Sequence, residues 1–127
     1  VSELAVFEYA TLRVVPRIER AESINVGVLL YCGWLDFLQA TVALDAQRLT
    51  ALDPRSDVDS VRAALRSIER VCSGEDRLVP ACQTSRGQRF RWLTAPRSTV
   101  VQTGPVHAGL TDDPAAELER LTTTLVR

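Results

Sequence analysis

Side chains able to do chemistry concentrate in two segments, Arg17–Tyr31 (RIERAESINVGVLLY) and Arg89–Gly109 (RFRWLTAPRSTVVQTGPVHAG). Each combines Arg with small polar residues, Gly or Pro and an apolar run. Turn chemistry and charge that interrupt buried strands in this way suggest a shaped surface. The first segment holds Asn25, the sole asparagine, and the second holds His107, the sole histidine. Arg97 follows Pro96 and precedes Ser98 and Thr99, so a guanidinium, hydroxyls and backbone N–H groups can converge there on a phosphate or carboxylate. Arg13, Arg17 and Gln102 extend the set of anion-binding or partner-binding candidates. Asn25, beside Gly27, can orient a bound group or bond the backbone across a bulge. His107 and Glu22 are the candidates for moving a proton, since imidazole and carboxylate are the usual general acids and bases. The competing readings are a solvated hairpin connection for the first segment, an Arg-rich solvent face for the second and a structural histidine.

What is missing narrows the chemistry further. All 15 basic residues are Arg, which excludes a Schiff-base lysine, a lysine general base and the phosphate-gripping lysine of a P-loop. A GC-rich genome is the simplest origin of that bias. No nucleophile elbow, His-Glu-x-x-His helix or dinucleotide fingerprint is present. Cys32, Cys72 and Cys82 fit no metal spacing, and with one histidine a zinc site is not expected. Neither a metal nor a cofactor is expected.

Length and composition bound the rest. At 127 residues the chain reads as a single globular domain, 1–127, able to bury about two-thirds of its unfolded surface. Hydrophobic residues form 46% and charged residues 24%, with a formal net charge of −1. Such a balance gives no field to gather nucleic acid, so any anion site must be local. Aromatic–Arg interleaving around Phe90 and Trp92 could stack single-stranded bases, but the net charge argues against it. No run approaches the roughly eighteen apolar residues of a membrane helix, and no signal-peptide pattern is seen. A cytoplasmic protein that does not enter the membrane is expected.

The elements that must position these residues follow from periodicity. Alternation predicts a strand over Val6–Val15, an apolar strand over Ile24–Tyr31 and a return strand over Phe37–Leu44. Asp45 can cap a short helix, Ala46–Leu52. Val58, Val61, Leu65, Ile68 and Cys72 recur at helical steps, with Ser56 as the cap, Asp59 in the first turn and Gly74 as the stop. Glu75–Gly87 reads as an irregular loop. Arg89–Leu93 and Thr99–Thr103 read as strands flanking Ala95-Pro96, with His107 in a Gly/Pro-flanked turn. Asp113-Pro114 opens a last helix with the stripe Leu118, Leu121 and Leu125. The sum is an α+β domain: an antiparallel, meander-like sheet of about five strands, with two or three helices packed on one face.

Four motifs carry a resemblance. Tyr9-Ala-Thr-Leu-Arg-Val-Val-Pro-Arg, Glu22-Ser-Ile-Asn-Val-Gly-Val-Leu-Leu-Tyr, Phe90-Arg-Trp-Leu-Thr-Ala-Pro-Arg-Ser-Thr-Val-Val-Gln, and Pro105-Val-His-Ala-Gly-Leu with Asp112-Asp113-Pro114 resemble a bacterial family known as domain of unknown function 3037. Genes of that family resemble those found beside a HipA-like serine/threonine kinase, which implies a partner or accessory role. The matching polar positions are Arg13, Arg17, Glu22, Asn25, Arg97, Ser98, Gln102 and His107. The expectation is a non-catalytic accessory or regulatory module that binds a protein partner, with a HipA-like kinase as the partner implied. The alternative is a small enzyme or ligand-binding domain for a phosphorylated or carboxylated metabolite, using an Arg/Asn/His site.

Overall fold

The apolar alternation of the N-terminal half builds three consecutive antiparallel strands, β1 (Ala5–Val14), β2 (Ile24–Cys32) and β3 (Phe37–Val42). They belong to a computed structural model that describes residues 3–74, 84–97 and 99–127. Two short strands, β4 (Val101–Thr103) and β5 (His107–Thr111), share the free edge of β1. β4 pairs with its C-terminal end, Leu12–Val14, and β5 with its N-terminal end, Ala5–Tyr9. Among the described residues the sheet is five-stranded and antiparallel throughout, and β1 is its central strand.

Among the described residues four helices cover it: α1 (Ala46–Leu52), α2 (Val58–Ser73), α3 (Arg86–Thr94) and α4 (Pro114–Leu125). The α+β class and the antiparallel sheet stand as read, and the helices differ in number and placement. Leu12, Val14, Val26 and Leu29 pack with Leu49, Val61, Leu65, Phe90 and Leu93 on one face. Phe7, Val28, Leu30 and Cys32 pack with Leu118, Leu121 and Val126 on the other. The helices therefore lie on both faces, with α4 opposite α2 and α3. An apolar run such as Val28-Leu29-Leu30 accommodates this, because successive side chains of a strand point to opposite faces.

A β-bulge controls how the strand ends are aimed. Leu12 pairs with Gly27, but Arg13 pairs with Asn25, so Val26 is inserted without an opposite number. Only glycine fits at position 27, where a Cβ would lie 2.2 Å from Thr41 O. The extra residue switches the facing of Asn25 to the α4 side, where its Nδ2 donates to Leu125 O at 3.1 Å.

Two local readings need correction. Arg89–Leu93 is not a strand but the body of α3. Ser85 and Gln88 form a reciprocal capping box, and burial of Arg89, Phe90 and Leu93 follows a helical rather than an alternating pattern. The capping box also takes Ser85–Gly87 out of the expected loop, and residues 75–83, with Cys82, lie outside the described residues. The cap of α2 is Asp57 rather than Ser56: its carboxylate accepts from Ser60 N at 3.1 Å and from Ser60 Oγ at 2.8 Å. Those bonds hold the Asp57 carboxyl below its ordinary range. Gly74 ends α2 in the left-handed region at φ 67°, as the sequence suggests.

Candidate functional site

At the C-terminal end of β1 the sheet leaves a cleft of about 290 Å³, lined by Arg13, Arg97 and Gln102 together with Val15, Ile18 and Ser23. β1 supplies Arg13, and its neighbours in register are Asn25 on β2 and Gln102 on β4. The connection between β1 and β2 folds over as a tight turn. Ala21 N donates to Arg17 O and Ile18 O, and Ala21 stands at φ 56°, where non-glycine residues are uncommon. Arg97 is held in place from behind: its guanidinium lies 4.5 Å from the centroid of the Trp92 ring, and its Nη2 donates to Trp92 O. Gln102 Nε2 donates to Thr99 O at 2.8 Å, which fixes the amide beside both guanidinium groups.

Arg13 is the unusual member. It is partly buried, its Nε is fully buried, and that nitrogen has no hydrogen-bond acceptor. Seven other arginines among the described residues reach a carboxylate. A buried guanidinium nitrogen without an acceptor is costly, and buried polar groups are almost always paired. No carboxylate lines this cleft among the described residues. Two guanidinium groups around an uncompensated concavity are arranged to receive an anion.

The remaining sequence candidates separate from it. Arg17 pairs with Glu19 at 2.9 Å, and Glu22 is bonded to Arg20. Arg17 and Glu22 line a different cleft, of about 420 Å³, with Arg20, Asp53 and Arg55. The Arg20 bond holds the Glu22 carboxyl below its ordinary range, so it is a settled anion rather than a proton carrier. Asn25 is spent on the last turn of α4. His107 heads β5 rather than lying in a turn; it is exposed and pairs in register with Tyr9, the ring centroids 5.3 Å apart. Tyr9 lies four residues along β1 from Arg13, which separates His107 from the cleft by about 13 Å along the strand. Ser98 lies outside the described residues. The fold thus gathers Arg13, Arg97 and Gln102, and sends Arg17, Glu22, Asn25 and His107 elsewhere.

Two features escaped the sequence reading. A larger cavity of about 650 Å³ opens between α2 and the β4 edge. Its signal is the small-residue stripe Ser60, Ala64 and Ser67, which keeps α2 from filling that space. The second is Arg89, only 8% exposed, whose guanidinium donates to Thr84 O at 2.6 Å and to Cys72 O at 3.3 Å. Cys72 itself is buried, and burial pushes its thiol up to about 12, where no reactive thiolate forms near neutral pH. Among the described residues no cluster of His, Cys, Asp or Glu could hold a metal ion, and no helix is long and apolar enough to cross a membrane.

Comparison with known proteins found no match among curated proteins and none among solved structures. A family model, described as protein of unknown function (DUF3037), matches residues 9–126. That span runs from β1 to the end of α4 and includes the whole cleft, so the chain belongs to the DUF3037 family.

Proposed function

We propose that this protein is a non-catalytic binding module whose Arg13–Arg97–Gln102 cleft receives a carboxylate or phosphate displayed by a protein partner. The observation that carries the reading is Arg13, which keeps a buried Nε without an acceptor in a cleft free of carboxylates among the described residues. An incoming anion would compensate the two guanidinium charges that line the cleft, and charge-assisted bonds of that kind are roughly twice as strong as neutral ones. A HipA-like kinase is the partner suggested by the family resemblance, and it is the first to try. The metabolite reading uses the same cleft but also needs a proton carrier. His107 is remote from the cleft, and Glu22 is ionised by Arg20 in another one, which favours binding over turnover.

The test is titration calorimetry of a HipA-like kinase against the wild type and against Arg13→Ala, Arg97→Ala and Gln102→Ala, with exposed Arg62→Ala as control. Each arginine replacement should weaken binding about tenfold or more, as expected for losing a charged bond of about 1.5–3 kcal/mol. The control should bind as the wild type does. Equal affinity across all four variants would remove the cleft from the interface. Inorganic phosphate binding that depends on Arg13, with no kinase binding, would turn the reading toward a metabolite.

A further inference from the structure

The 650 Å³ cavity between α2 and the β4 edge is larger than the Arg13 cleft, and its inner wall is apolar. Val14, Val61, Ala64, Ile68 and Val101 line it. Val14 and Val61 belong to the buried core, whereas Val100 on the rim is 41% exposed. Ligand pockets typically run from about 300 to 1,000 Å³ and present an apolar wall with a few placed polar groups. An unsatisfied hydroxyl behind the wall and one accessible charged group stand here. Ser56 Oγ is fully buried and has no hydrogen-bond partner, although buried hydroxyls are ordinarily paired. Arg97 lines this cavity as well as the smaller cleft, preset by its stacking on Trp92.

The charges around the mouth decide the chemistry of the occupant. Asp53 accepts from Arg55 N at 2.9 Å and lies 3.7 Å from Arg55 Nε, so those two compensate one another. Asp57 spends both oxygens on Ser60 at the positive end of α2. Arg97 donates to Trp92 O in the last turn of α3 but, among the described residues, is paired with no carboxylate. A neutral apolar molecule would fill the volume but leave Arg97 without a counter-ion.

We infer that this cavity binds an amphipathic organic acid, its aliphatic body against Val61, Ala64 and Ile68 and its carboxylate on Arg97. The site is separate from the protein-binding reading and shares only Arg97 with it.

Sodium decanoate, octanoate and neutral decanol are the probes, read by isothermal titration and by methyl chemical shifts. Decanoate should bind about tenfold more tightly than octanoate, since each buried methylene contributes roughly a three- to fourfold gain. It should also bind about tenfold more tightly than decanol, and that preference should vanish in Arg97→Ala. Shifts should concentrate on the methyls of Val61, Ala64, Ile68 and Val101. Ala64→Phe, which fills the cavity, should abolish decanoate binding while leaving the effect of the kinase or of phosphate at Arg13 intact. Arg13→Ala should do the reverse, so failure of one site is distinguishable from failure of the other. Equal binding of decanol and decanoate, no dependence on chain length, or shifts elsewhere on the surface would each overturn the inference. Because the methyl map is read on the wild type, the outcome does not depend on any of the three variants folding.

Discussion

Arg13 on β1 and Arg89 on α3 are treated in opposite ways. Each has an Nε that is buried without an acceptor. Arg89 directs its two terminal nitrogens at Thr84 O and Cys72 O, so the cation closes the C-terminal end of α2, where its charge also suits the helix dipole. Gly74 makes room for it: a Cβ at that position would lie 3.0 Å from Arg89 Cζ. Arg13 receives nothing comparable. Its strand neighbours are Asn25 and Gln102, and both amides donate their hydrogen bonds elsewhere. A cation completed by its own chain is part of the fold. One left incomplete at a concave surface is part of a binding site.

That contrast is tested most severely at Arg89. Replacing it with Ala strands the Cys72 and Thr84 carbonyls and should cost about 2–4 kcal/mol in a urea melt, given about 1.5–3 kcal/mol for a bond from a charged donor. Lys at the same position keeps the charge but loses the fork, and should recover only part of the loss. A cost below about 0.5 kcal/mol would mean that the corner is held by apolar packing and that the two arginines do not differ.

Arg13 should move the other way. Arg13→Leu removes a buried donor without an acceptor and keeps the packing volume, so stability should rise by about 1–2 kcal/mol. Binding of an acidic partner should fall in the same variant. Gain of stability with loss of binding is the signature of a residue kept for function. Destabilisation by a similar amount would place Arg13 with Arg89 as a structural cation.

Local patterns made much of this legible, and long-range pairing accounts for most of what they did not. The first three strands, α1, α2 and α4 follow from apolar period and capping residues confined to each segment. α3 was misread because Arg89-Phe90-Arg91-Trp92 alternates over four residues, too short a window to separate a strand from one turn of helix. The Ser85–Gln88 capping box was the better signal. β5 was missed because its side chains are mostly exposed and its existence depends on pairing with β1 far away in sequence. The stripe of α4 shows that it buries one face but not which side of the sheet receives it. At the site, Arg13, Arg97 and Gln102 were visible as residue types, and their meeting was not. That Arg17 and Glu22 would be neutralised locally could be read from the pairs Arg17-x-Glu19 and Arg20-x-Glu22.

Asn25 gives the smallest and most pointed test, because it stands directly across from Arg13 in the sheet and yet should behave like Arg89. Its amide donates to Leu125 O in the last turn of α4, and the bulge at Val26 is what turns it there. Asn25→Ala should cost about 1 kcal/mol, the net contribution of one such bond. Faster amide exchange in the final turn of α4, with partner binding unchanged, would fix Asn25 as an anchor of the fold. Loss of partner binding without any change in stability would instead enlarge the site to include it, and the line drawn between completed and incomplete polar groups would have to move to the other side of β2.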